Sequence, residues 1–196
     1  MASPSQIEDS AQSRALIESQ LRECYGRATY SHKTHEKCAD ILLARLGSIK
    51  FWQIVLSAMT TCGFIFAIFD SLRVLGVAGA LISTTLLVLN SYTKDYDLGT
   101  VAQRHKQAAN ELWLIRERYL SLITDLLINR KPLEEVVEER DRLTKDLSEV
   151  YASAPSTSGR AYKQAQQALK YNEDMTFSEN ELDALLPEGL RRNGRG

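Results

Sequence analysis

Polar and apolar positions repeat at helical spacing along most of this chain, but in two stretches the charged positions vanish. Residues 51–69 read FWQIVLSAMTTCGFIFAIF and residues 74–92 read VLGVAGALISTTLLVLNSY, with no Asp, Glu, Lys, Arg or His in either. Each is nineteen residues long, about 28 Å as a helix at ~1.5 Å per residue, close to the ~30 Å of a bilayer's hydrocarbon core. Only Asp70-Ser71-Leu72-Arg73 separates them. The pattern predicts a transmembrane hairpin. Two buried helices in a soluble bundle would also be apolar all round, but they need a thick protein shell, and 196 residues make one ordinary domain.

Outside these runs the chain reads as all-α. Residues 1–14 are a flexible N-terminus. From about residue 15 to Lys50 the sequence has no Pro, and Leu16, Ile17, Leu21, Cys24 and Ala28 follow three- and four-residue steps, as do Ile41, Leu42 and Leu46. One or two helices should run into the first span. After a short break at KDYDLG, a long helix is predicted over 100–129, with Val101, Ala108, Leu112, Ile115, Tyr119, Leu122, Ile123 and Leu126 as its apolar stripe. Lys131-Pro132 ends it, because a proline disfavours helical geometry in the residue before it. Another helix follows over 133–151, where Val136, Arg140, Leu143, Leu147 and Val150 keep coiled-coil spacing for about two and a half heptads. SAPSTSG (153–159) is linker by composition. Residues 160–171 allow a short polar helix, Ser178 and Glu181 are spaced as a capping box, and GLRRNGRG is a disordered end by composition. The organisation is a domain over 15–152 and a linker and tail over 153–196.

Charge sets the expected orientation. Lys33, Lys37, Arg45 and Lys50 precede the first run and Lys94, Arg104 and Lys106 follow the second, whereas the connection carries only Arg73. By the positive-inside rule both termini face the cytoplasm. The first twenty residues lack the apolar stretch of a signal peptide, so the first span is expected to act as the insertion signal and to stay. Cys24 and Cys38 then lie in a reducing compartment as thiols, and Cys62 lies mid-membrane. The net charge of −1 offers no field for nucleic acid, and no direct nucleic-acid binding is expected.

Candidate chemistry is sparse. There is no Gly-rich phosphate loop, G-x-S-x-G elbow or H-E-x-x-H pair, and the glutamate pairs at 134–135 and 138–139 read as a solvated face. No enzyme and no cofactor are expected. His32, His35 and Cys38 are metal-ligand types on one helical arc, but no second cluster completes a site. Segment 27–40, RATYSHKTHEKCAD, is polar almost all round. Such a helix must pack against neighbours or bind something. Tyr30, His32, Lys33 and His35 are its candidates for a signal or partner.

The apolar runs carry two stripes. Gln53, Ser57, Thr60 and Thr61 lie within about 100° of one another in the first, and Gly76, Gly79, Ala80, Ser83 and Asn90 cluster as tightly in the second, since successive residues turn by ~100°. Small residues let helices approach, and hydroxyls and amides bond across them. Both stripes could simply pack the hairpin. Alternatively the first lines a water-filled path and the second packs the hairpin. One hairpin cannot enclose a pore, so this alternative needs a homo-oligomer.

YSHKTHEKCADIL (30–42), leading into IKFWQIVLSAMTTCGFIF (49–66), a tight turn, a second span and a long helix, resembles the SLATT family. These are two-transmembrane effector domains associated with SMODS nucleotide synthetases and SLOG sensors in bacterial conflict systems. The likeness covers about 15–150 and is strongest to the branch found beside reverse transcriptases and nucleotide synthetases. It implies an effector of the bacterial inner membrane that disrupts or perforates the bilayer on an upstream, often nucleotide, signal. Its implied partners are lipid, further copies of itself and a synthetase or reverse transcriptase. The residues alone equally allow a passive membrane anchor whose cytoplasmic helices recruit a partner.

Overall fold

A computed structural model describes residues 4–69 and 73–192. The Asp70–Leu72 part of the connection and the last four residues of the expected disordered end lie outside the described residues. Among the described residues every regular element is helical.

The first element, α1, is a single helix from Pro4 to Phe69. At ~1.5 Å per residue its 66 residues reach about 100 Å. No break separates the polar arm from the apolar run, because nothing between them is a proline. The helix also starts inside the stretch set apart as flexible. Its first residue, Pro4, occupies a position where a missing N–H goes unused. The second helix, α2, spans Arg73–Asp95, and the third, α3, spans Leu98–Leu127. The break between them is only Tyr96 and Asp97, and Asp97 caps α3 by accepting from Thr100 N at 2.9 Å.

The helix α4 (Leu133–Ser153) follows Pro132, and α5 (Gly159–Lys170) is capped by Ser158, whose Oγ accepts from Ala161 N at 3.2 Å. In α6 (Glu179–Leu185), Ser178 and Glu181 form the capping box that their spacing predicts.

The core is built where α1, α3 and α4 meet. Leu21, Cys24 and Ala28 of α1 pack with Leu112, Ile115, Tyr119 and Leu122 of α3 and with Val136, Leu143, Leu147 and Val150 of α4. The four apolar seam positions predicted for α4 are all buried. Arg140, the odd member, turns its guanidinium to Gln20 of α1 at 2.9 Å and to Asp141 at 2.7 Å. Arg118 ties α3 to α4 through Glu139 at 2.9 Å and Asp146 at 2.6 Å. Two stripe assignments need correction. Val101 is exposed, and the buried row of α3 begins with Leu98, Ala102 and His105 instead. Leu16 is exposed as well.

Helix α5 packs on α1 beyond this core. Ala161, Ala165 and Ala168 are its buried positions, and small side chains at four- and three-residue spacing let the two backbones come close. The polar segment 27–40 is therefore enclosed between α3 and α5, and His32, Thr34, His35, Cys38 and Ala39 are buried in it.

Candidate functional site

All three histidines of the chain are buried in the layer between α1 and α3. His32 places Nδ1 2.8 Å from the carbonyl of Ala109, so this ring nitrogen carries the proton and donates. His35 and His105 face each other through their Nδ1 atoms at 2.9 Å, with ring centroids 5.0 Å apart. That contact is a hydrogen bond only if one Nδ1 carries a proton and the other does not. Doubly protonated rings would set two N–H groups against each other. Burial accordingly lowers the pKa of His35 from 6.5 to about 4, with the charges of His105 and His32 adding to the effect. Burial also lowers that of His105. The pair is held neutral near pH 7.

The four residues proposed as signal or partner contacts divide between two sides of α1. Lys33 leaves the histidine layer and pairs with Glu36 at 3.0 Å and with Asp174, beyond α5, at 3.1 Å. Burial opposes its charge more than any other single influence, but the hydrogen bonds to Glu36 and Asp174 together prevail and its pKa is raised. The Tyr30 ring lies 6.2 Å from that of Tyr162 in α5. Next to it, Ser31 Oγ and the Tyr151 hydroxyl are 2.8 Å apart. Tyr30, Tyr151, Tyr162 and His35 bound a pocket of about 300 Å³, which the segment from Ala154 to Thr157 helps to close. Tyr30 and His35 thus share a cavity, whereas His32 and Lys33 have partners elsewhere. Among the described residues no three His, Cys, Asp or Glu side chains are grouped to hold a metal.

Sequence reasoning missed His105, Tyr151 and Tyr162. A signal existed for the first. Counting back from Leu112 in steps of three and four passes through 109, 105, 102 and 98, so His105 falls on the buried row. Nothing local marks the two tyrosines: Tyr151 reaches the pocket because the end of α4 meets α1 at Ser31, and Tyr162 because α5 folds back onto α1.

In the apolar runs, α2 packs on the C-terminal part of α1. Gln53 Nε2 donates to Asn90 Oδ1 at 2.9 Å. Among the described residues of this part of the chain, the half-buried ones are Gln53, Val55, Leu56 and Thr60 on α1 and Gly79, Ile82, Leu86, Leu89 and Thr93 on α2. The grouping by stripe is therefore divided. Gln53 and Thr60 lie in the contact between the helices, whereas Ser57 and Thr61 are exposed. Gly79 and Asn90 lie in or beside the contact, whereas Gly76, Ala80 and Ser83 are exposed. The seam on α2 instead runs through large apolar side chains at alternating three- and four-residue steps, which offer more contact area. A Cβ added at Gly76 or Gly79 would meet no described atom within 4 Å. Thr60 and Thr61 spend their hydroxyl protons on the carbonyls of Leu56 and Ser57, at 2.8 and 3.0 Å.

A family model, described as SMODS and SLOG-associating 2TM effector domain family 4, matches residues 17–181. The chain belongs to this family. No curated protein and no solved structure matches it. The match runs past residue 150, the end of the stretch that carries the resemblance in the sequence, and takes in the pocket-forming α5. Two helices of the chain are long and apolar enough to cross a membrane, in keeping with the two transmembrane segments of the family's description. On these grounds it is a membrane protein.

Proposed function

We propose that this chain is a membrane-embedded effector of a bacterial anti-phage defence system. Its two apolar runs form a transmembrane hairpin in the inner membrane with both termini cytoplasmic. Copies oligomerise and permeabilise the bilayer on an upstream, nucleotide-linked signal, and a nucleotide synthetase or reverse transcriptase is the partner that the family resemblance suggests. The observation that carries this reading is the unbroken course of α1. One helix holds the buried histidine layer at one part of its length and the first apolar run at another, so a displacement in the cytoplasm is delivered to the membrane without a joint. Trp52, Tyr92 and Tyr96 are exposed close to the Gln53–Asn90 contact, with Lys50 and Lys94 beside them. Those residue types settle at headgroup depth, which supports a membrane boundary at this level. Gly76, Ala80 and Ser83, exposed at four- and three-residue spacing, suit close approach by a second copy. Ser57 and Thr61, exposed on the other helix, are the best remaining candidates to line a path.

The test is membrane potential on induced expression. The reading predicts collapse, and a weaker collapse with Ser57→Leu and Thr61→Leu together, because an apolar constriction resists wetting. Unchanged potential with the protein in the membrane would contradict it. The passive-anchor reading draws on Gln53, Thr60 and Thr61, whose polar groups are already bonded within one chain. It predicts intact potential and a partner retained at the membrane.

A further inference from the structure

We propose that the pocket bounded by Tyr30, Tyr151 and Tyr162 binds an uncharged, planar heteroaromatic compound of nucleobase or nucleoside size. The inference takes the signal-receiving role of the cytoplasmic helices as its setting, but binding itself stands or falls separately. Three features of the pocket carry it. Its wall contains tyrosine rings from three different helices, and aromatic faces receive flat rings by offset stacking. Between them stand hydroxyls: Thr34 Oγ1 already donates to the Tyr30 carbonyl at 2.7 Å and Ser31 Oγ pairs with the Tyr151 hydroxyl at 2.8 Å, which leaves them acceptor capacity, whereas Ser156 and Thr157 in the α4–α5 connection both donate and accept. They suit a ring edge that carries both functions. Among the described residues no Asp, Glu, Lys or Arg lines the pocket, so a phosphate buried there would find no counter-charge. The volume of about 300 Å³ lies at the small end of ligand sites, enough for one base with a sugar and too little for a dinucleotide.

The pocket also adjoins the one buried histidine pair. His35 commits Nδ1 to His105, which leaves Nε2 as the ring nitrogen open to an occupant. A ligand that donates to Nε2 favours the tautomer in which Nδ1 carries the proton and donates to His105. Occupancy would thereby fix the direction of the hydrogen bond that joins α1 to α3, while the stacked ring holds α4 and α5 against α1.

The experiment uses the full-length protein in detergent micelles. Adenosine, guanosine, cytidine and uridine are titrated in, each alongside its 5′-monophosphate, while the imidazole resonances of His35 and His105 are followed by NMR. At least one nucleoside should shift both resonances saturably. Tyr162→Ala, a change at a half-exposed ring, should weaken that nucleoside about tenfold or more. Ser156→Trp, on the exposed connection, should fill the space and abolish binding even if the first variant loses helicity. No saturable shift with any nucleoside would overturn the proposal. So would binding that survives Ser156→Trp, or a 5′-monophosphate that binds about tenfold more tightly than its nucleoside. None of these results bears on membrane potential, so a failure here and a failure of the effector reading are told apart.

Discussion

Helix α1 passes through two environments, and the contrast between them is the most instructive feature of the molecule. From Leu21 to Ala39 it is packed on several sides, and even two histidines are buried and bonded: His32 to Ala109, His35 to His105. From Phe51 to Cys62 no described position is fully buried, and the same holds for Gly76–Lys94 of α2. The first region completes its contacts within one chain. The second leaves Phe51, Trp52, Ile54 and Met59 on α1 and Val77, Leu81, Leu87 and Val88 on α2 uncovered, so lipid or other copies must cover them. One continuous helix therefore joins a segment packed within the chain to a pair of helices that is incomplete alone.

The sharpest way to break this contrast is to truncate a matched pair of leucines. Leu112→Ala, at a fully buried core position, should cost about 2–5 kcal/mol, read as a lower melting temperature of the α1–α3–α4 bundle in detergent. Leu81→Ala, at an exposed position of α2, should leave that melting within about 0.5 kcal/mol of the parent. Equal losses would mean that the two regions are not separate in their energetics.

Acid should probe the buried region next. The pKa of His35 in the fold is depressed from 6.5 to about 4. The unfolded chain thus binds more protons than the folded one between these values. Stability from this group is full above pH 6.5 and is lost as pH falls towards 4, by about 3 kcal/mol in all. The lowered pKa of His105 acts in the same direction, and the two titrate as a pair. His35→Asn, which keeps a donor near the Nδ1 position, should flatten the decline in a pH series of melting curves. A decline as steep as the parent's would place its origin elsewhere.

The smallest effect is expected in the apolar pair. Gln53→Leu removes the donor to Asn90 and should weaken the association of α1 with α2 by about 1 kcal/mol, as interhelical hydrogen bonds in membranes contribute little. A double-mutant cycle with Asn90→Leu isolates the coupling. A value near zero would show that Gln53 bonds elsewhere in the membrane.

How much of this was legible in the residues follows from the range of the interactions. The two apolar runs, the α4 seam from Val136 to Val150 and the capping box at Ser178 are local patterns, and the sequence states them directly. The unbroken α1 was only half legible. Its polar middle has no burial pattern of its own, and what holds it helical is α3 and α5 lying against it. The division of the stripes in the apolar runs was not legible, because Ser57 and Thr60 differ in their surroundings only through the rotation of α2 about α1. The pocket was the least legible of all. Its tyrosines come from residues 30, 151 and 162, and they are brought together only where the end of α4 and the returning α5 both meet α1.

The most direct test of the central claim, that α1 transmits the state of the bundle to the membrane as one rigid element, is leakage from liposomes by Ser48→Pro. Ser48 is exposed and lies between the buried bundle and the first apolar run, where a proline costs about 3 kcal/mol of helix and introduces a kink. The account predicts that this variant inserts, assembles and keeps the melting of its bundle, yet releases dye about tenfold more slowly than the parent or Ser48→Ala. Release as fast as the parent's, with the bundle and the assembly intact, would contradict it.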